Sequence, residues 1–370
     1  MLPLRRTLIA LVLLSLVAAA CSGGGDAETT TTTSTAATTT TAASTTTAST
    51  TTTTSTTTPE DTTTVTTYAP DYASPLNGLV ATEDILLDRR AIAVKIDNHP
   101  QARPQSGLQS ADAVIEILAE GVTRFMAIFH DNDTDYLGPI RSLRPTDSTL
   151  AAAIGAPIVI SGGQDWIQNL TAGRHVPLIG ENTTALFRVA SRAAPHNLYG
   201  DTTAIRVVAD QRGYSNDPPG VLFKIDTWKI PDEAATEISL DWAPGSVVVW
   251  TYNEATRTYL RETGGKKNST VDRQGNLTQI NADVLVVLTG DETVAYPPTG
   301  VSGSGVPETD TVGSGSAYVF ARGRMWQGTW ERSAIGDPFT LLNADGTEAV
   351  VPAGFPWISI FPAARTITTS

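Results

Sequence analysis

Between Ser22 and Thr67 the chain is almost entirely threonine, with a few serines and alanines and hardly a large apolar side chain. Such a stretch cannot bury enough surface to offset the entropy of ordering it, so it is expected to be a disordered tether. The core must therefore come from the residues after Thr67. As a flexible coil, about 45 residues reach roughly 35–40 Å. That is enough to hold a folded head off a surface.

Ahead of the tether, residues 1–21 have the three parts of an export signal: Arg5 and Arg6, an apolar run from Leu8 to Val17, and Ala18, Ala19 and Ala20 leading to Cys21. The apolar run is shorter than the ~18–20 residues a membrane span needs, which favours an export signal over an anchor helix. Small residues directly before the only cysteine resemble a bacterial lipobox, with Ala18 standing where Leu is usual. In that pattern Cys21 takes a diacylglycerol and becomes the new N-terminus. A second acyl chain would matter, because one alone anchors only marginally. An ordinary secretory signal cut near Ala20 is the alternative. The expected location is the extracytoplasmic face of a bacterial cell membrane, with membrane lipid held through Cys21.

A single cysteine excludes an intramolecular disulfide and a Cys-based zinc cluster. Against 38 Asp+Glu the chain has only 25 Lys+Arg, a net charge of -13. That balance argues against a nucleic-acid partner and against polybasic attachment to lipid. Setting aside Arg5, Arg6, Asp26, Glu28, Glu60 and Asp61 leaves 34 acidic and 23 basic residues, so the remainder stays acidic at -11.

After the tether (22–73) the sequence reads as an α+β head in two parts. In residues 74–218, an α/β domain, Ala91–Ile96 reads as a strand and Ala113–Ala119 with Arg124–His130 as a hairpin turning near Gly121. Helices are expected over Thr146–Ile154, Gln164–Leu170 and Asp201–Arg212, the last capped by Asp201. Pro157–Ile160 reads as a strand. Residues 221–367 read as a mostly antiparallel β domain, with strands at Val221–Ile225, Glu237–Leu240, Val247–Tyr252, Thr258–Glu262, Val284–Leu288, Ala317–Ala321 and Trp357–Phe361. Gly264-Gly265, Arg322-Gly323 and Asp345-Gly346 are hairpin signals. Six of the seven tryptophans lie beyond residue 220, which suits ring packing in such a sheet. Tyr296–Ser316, including Gly313-Ser314-Gly315-Ser316, reads as a long loop.

Polar residues that carry chemistry concentrate in the first part. Asp97, Asn98 and His99 leave a strand and run into Pro100, with Arg103 beyond. Glu116, Glu120, Arg124 and His130 lie on the proposed hairpin. Arg141 and Arg144 fall in Gly138–Pro145, and His196 and Asn197 in Ala194–Tyr199. Asp97, His99, Glu116 and His196 have the chemistry of general acids and bases. Arg124, Arg141 and Arg144 are suited to gripping a carboxylate or phosphate at two points, with Asn98, Arg103, Glu120, His130 and Asn197 as further ligand contacts. No histidines have the i, i+4 metal spacing, and there is no Gly-x-Ser-x-Gly or phosphate loop, so no metal or cofactor is expected. Singly, each feature also suits a turn cap, a cross-strand pair or a surface arginine. Their concentration in one half points to a pocket.

Seven blocks in order, SPLNGL (74–79), VKIDNHPQARPQSGL (94–108), ADAVIEILAEGVTRFMAIFH (111–130), GPIRSLRP (138–145), APHNLYG (194–200), GSGSAYVFARGRMWQGTWER (313–332) and VPAGFPWISIFP (351–362), resemble the YerB-like lipoprotein family. The resemblance spans the whole head. It implies an N-terminal α/β domain, a C-terminal mostly-β domain and an exported, usually lipid-anchored chain. The family is one of unknown function, tied loosely to the Gram-positive envelope and to regulation of peptidoglycan enzymes. This chain departs from it where a His-x-Asp pair is expected after the Gly-Gly turn. Asn268-Ser269-Thr270 stands there, before Asp272.

These observations lead to two expectations of function. One is a binding or regulatory module for cell-wall polymer, peptidoglycan, or cell-wall enzymes. The other is a cell-wall hydrolase or transferase with an Asp/His/Glu site and an arginine-gripped anionic substrate.

Overall fold

The apolar, β-branched run at residue 91 becomes β1 (Ile92–Asp97), and the expected hairpin becomes β2 (Ala113–Leu118) and β3 (Thr123–Phe129). The hairpin turns through Gly121 at φ +71°, a value glycine adopts without strain. β1 also pairs in parallel with β4 (Ile158–Val159), and β4 with β5 (Leu178–Ile179). The structure, a computed structural model, describes residues 73–370; the expected export signal, Cys21 and the expected tether up to residue 72 lie outside the described residues.

One sheet of eleven strands contains strands from both expected parts. Its order is Glu348–Ala349, Thr340–Leu342, Arg324–Arg332, Gly313–Ala321, Val284–Gly290, Pro356–Pro362, β2, β3, β1, β4, β5. The join is the Pro356–Pro362 strand, parallel to Val284–Gly290 on one side and to β2 on the other, with Trp357 opposite Val114.

Because side chains alternate along a strand, each face of this sheet carries its own core. Ala93, Ile115, Met126 and Ile128 meet α1 (Pro145–Ile154) and α2 (Asp165–Gly173) through Leu150, Ile154, Trp166 and Ile167. On the other face Val94, Val114, Phe125 and Trp357 pack with Ile205 and Ala209 of α3 (Thr202–Gln211). The same cluster takes in Trp250 and Tyr259 of a second, six-stranded sheet built from the C-terminal half. Asp201 caps α3 by accepting from the Ala204 amide at 3.1 Å. Among the described residues no helix comes after Gln211, so the head is α+β with a mostly antiparallel β second half.

Two strand expectations are corrected. Val221–Ile225 is not a strand: only Ile225 bridges, to Val351, and the segment makes only scattered backbone hydrogen bonds, to Phe339 and Val351. Conversely, Gly313–Ser316 is the first half of the nine-residue strand Gly313–Ala321, and within the expected loop Val306–Thr309 pairs with Glu292–Ala295. Glycine there reflects crowding. A Cβ on Gly315 would lie 2.1 Å from the Thr289 carbonyl oxygen and 2.6 Å from Trp330 Nε1.

Candidate functional site

Lys95 and Asp97 share the parity of Ala93 on β1, so they emerge on the face covered by α1 and α2, and Arg124 stands opposite Asp97 in register. Residues 139–141 extend this edge: the Asp97 amide donates to the Pro139 carbonyl and the Arg141 amide to the Lys95 carbonyl, both at 2.8 Å. Arg141 is thereby fixed beside Asp97.

The Asp97 carboxylate is buried and fully engaged. Oδ2 is 2.7 Å from His196 Nδ1 and 3.3 Å from Arg141 Nε, and Oδ1 accepts from the His99 amide at 2.9 Å. The His99 ring stacks on His196, with centroids 4.9 Å apart and planes 13° apart. With Nδ1 donating to the carboxylate, the other ring nitrogen, Nε2, makes no hydrogen bond among the described residues. This is the tautomer of a general base, held in orientation by an acid.

Cations crowd the same face. Lys95, fully buried, pairs with Asp147 at 2.5 Å, and Asp147 Oδ2 accepts from the Arg144 amide at 2.7 Å to start α1. Glu120 takes Arg124 at 3.2 Å and Arg144 Nε at 2.6 Å. Burial, and then the neighbouring Arg144, pull the Arg124 pKa down to about 10. Burial likewise lowers Lys95 against the pull of Asp147. Burial alone would raise Glu120, but Arg144 and Arg124 bring it below the ordinary carboxylate value. Arg141 is different: its side chain is 24% exposed, and although its Nε pairs with Asp97, its two Nη groups make no hydrogen bond among the described residues.

Not every expected residue joins this cluster. Glu116 has the opposite parity and lies on the other face of the sheet, so it does not meet Asp97 and His196. There it accepts from Thr123 Oγ1 at 2.6 Å, Arg261 Nη2 at 2.6 Å and Trp357 Nε1 at 2.8 Å. The chain of bonds continues from Thr123 to Asn98 at 2.7 Å, and Asn98 Oδ1 accepts from Arg103 and Gln105, each at 3.0 Å. Asn197 turns to Arg188, at 2.5 Å.

His130 lies six residues beyond Arg124, about 20 Å away at strand rise. Its Nε2 is 3.2 Å from the Leu87 carbonyl, and burial lowers its pKa. The His130 amide donates to Asp112 at 2.6 Å, and burial first, then the Asp131 carboxyl, push Asp112 up to about 7. A carboxyl raised in the folded state stabilises fully below its unfolded value near 3.8 and loses that contribution as pH rises through about 7. Asp112→Asn should therefore lose less stability than the unsubstituted chain between about pH 5.5 and pH 8. Urea titrations at both values check this, and equal losses would contradict it.

Lys95, Asp147 and Arg261 belong to these networks although sequence reasoning does not single them out. Each left a signal. A lysine inside the apolar run Ala91–Ile96 must be buried and needs a counter-charge. Asp147 sits at the start of a helix, where a carboxylate that reaches back to cap it is held in a fixed place. Arg261 shares its parity with buried Tyr259 in its strand.

Two family models match the chain: "Protein of unknown function (DUF3048) N-terminal domain" over residues 76–215, and the C-terminal domain of the same family over 238–358. The Bacillus subtilis (strain 168) protein named "Putative lipoprotein YerB" is 28% identical over 298 residues, 78% of this chain and 86% of that protein. The crystal structure of YerB protein from Bacillus subtilis superposes with a TM-score of 0.68 at 26% identity, covering 80% of this chain and 99% of that one. With both halves matched in order and the whole head superposing, the chain belongs to the YerB-like DUF3048 family.

Proposed function

We propose that this chain is an exported envelope protein, anchored by lipid on Cys21 at the extracytoplasmic face, and that its head is a binding or regulatory module for cell-wall polymer or cell-wall enzymes. The observation that carries the reading is Arg141. Its Nε pairs with Asp97 at 3.3 Å, and its two Nη groups, unbonded among the described residues, are left over beside the buried Asp97–His196 pair. That arrangement suits a carboxylate or phosphate presented by a larger molecule, with His196 Nε2 accepting from a neighbouring hydroxyl. The name of the Bacillus relative supports the anchor.

Full-length protein in detergent micelles should sediment saturably with purified peptidoglycan. Arg141→Gln should weaken that binding about tenfold, the loss of one charge-assisted contact. His196→Ala should weaken it as well, with no soluble product released. Unchanged binding in both variants would remove the site from the reading. The Asp97–His196 geometry favours a second reading, acid–base chemistry on wall glycan or peptide; soluble product that disappears in His196→Ala would replace the module with it. Mass spectrometry of membranes tests the anchor, and a mature chain starting anywhere but a modified Cys21 would refute it.

A further inference from the structure

A cavity lies where the loop after β1 meets the hairpin around Gly264-Gly265. It holds about 580 Å³ and is lined by Arg103, Lys266 and Lys267, with Asn268, Ser269 and Leu277 among the other walls. No acidic side chain lines it, and neither Asp97, His196 nor Arg141 does.

Arg103 donates only to the side-chain and main-chain oxygens of Asn98, both at 3.0 Å, so neutral acceptors hold it, and the carboxylates of Glu116 and Asp97 act on it only through space. The side chains of Lys266 and Lys267 are exposed and, among the described residues, make neither a hydrogen bond nor an ion pair, with Glu262 standing opposite Lys267 across the hairpin. By contrast, Lys95 pairs with Asp147 and Lys224 with Glu348. In a protein of net charge -13, a cavity lined by three cations and no acidic side chain makes a local field of the opposite sign.

The walls are tied together. The Val271 amide donates to the Gln105 carbonyl at 2.7 Å, and Gln105 bridges Thr270 in parallel, so the two sides of the cavity cannot drift apart. Gly264 and Gly265, at φ +57° and +70°, make the tight turn that presents both lysines. The Ser269 hydroxyl, which makes no hydrogen bond, adds a neutral donor. Pro100, Pro104 and Leu277 supply apolar wall for the carbon atoms between charges.

We infer that this cavity binds a linear polyanion bearing phosphate groups, at a site separate from the Asp97–His196 pair. The ligand is a chain and not a bilayer surface, because the cations line a recess instead of a plane. The probe is tripolyphosphate, titrated calorimetrically into full-length protein in neutral detergent micelles. Lys266→Gln/Lys267→Gln should bind it about tenfold more weakly, as expected for two partly exposed ion pairs. Lys266→Arg/Lys267→Arg should bind within about threefold of the unsubstituted chain. Unchanged affinity in the glutamine variant, or an equal loss in the arginine variant, would overturn the site. Competition by a soluble short-chain phosphatidylglycerol as strong as that of tripolyphosphate itself would reassign it to a lipid headgroup and overturn the polymer ligand.

Discussion

Glu116→Ala should cost about 3–5 kcal/mol of folding stability, the usual penalty for leaving one member of a buried ion pair without its partner. Glu116 and Arg261 are both 0% exposed and 2.6 Å apart. The other carboxylate oxygen accepts from Trp357, and Arg261 lies 5.3–5.8 Å from the ring centres of Phe125, Trp250 and Trp357. Removing the carboxylate leaves the Arg261 charge among aromatic rings with only the neutral oxygens of Thr263 and Asn268 as partners. Because Glu116 comes from β2, Arg261 from the second sheet and Trp357 from the joining strand, the damage reaches both halves of the head. Equilibrium urea unfolding measures the loss. Glu116→Leu combined with Arg261→Met should recover most of it, since an apolar pair of similar volume commonly matches or exceeds a buried ion pair. A single-variant loss below about 1 kcal/mol would show that the pair is solvated in solution, since exposed pairs contribute no more than that.

Lys95→Met should be comparably damaging, at about 3–5 kcal/mol, for the same reason on the opposite face of the sheet. Asp147 is 0% exposed and, among the described residues, has Lys95 as its only cationic side-chain partner, at 2.5 Å. It also accepts from the Arg144 amide, so its displacement loosens the first turn of α1 and with it the arm that holds Glu120. This variant therefore carries a second readout. If Lys95 positions the arginine group, polymer binding should fall even at temperatures where the fold persists. Restoring stability with Asp147→Asn in the Lys95→Met background, without restoring binding, would assign Lys95 to the site as well as to the fold. A full recovery of both would leave it a purely structural residue.

The hairpin of β2 and β3 is legible in the sequence because two apolar runs flank a glycine. The third helix is legible because Asp201 caps it, its side chain accepting from the Ala204 amide. The Gly313–Ser316 stretch is not legible: its glycines look like loop composition until the indole of Trp330 is seen to occupy the space a side chain would need. In the site, the concentration of Asp97, His99, Arg141 and His196 in one half points to their nearness. The placement of Glu116 is hidden, because strand parity says which residues share a face within one strand but not which faces of paired strands coincide.

The sequence alone determined the class of the molecule. A threonine-rich tract with hardly a large apolar side chain, a short apolar segment ending at the only cysteine, an acidic head and two differently patterned halves are matters of composition and periodicity, which are local properties. Tertiary structure alone decided that one sheet contains strands of both halves, that Asp97 meets His196 across 99 residues of chain, and that Glu116 is enclosed by Arg261 and Trp357. Those outcomes depend on which strand edges pair and which side chains must find a counter-charge once water is gone, and no local pattern encodes either.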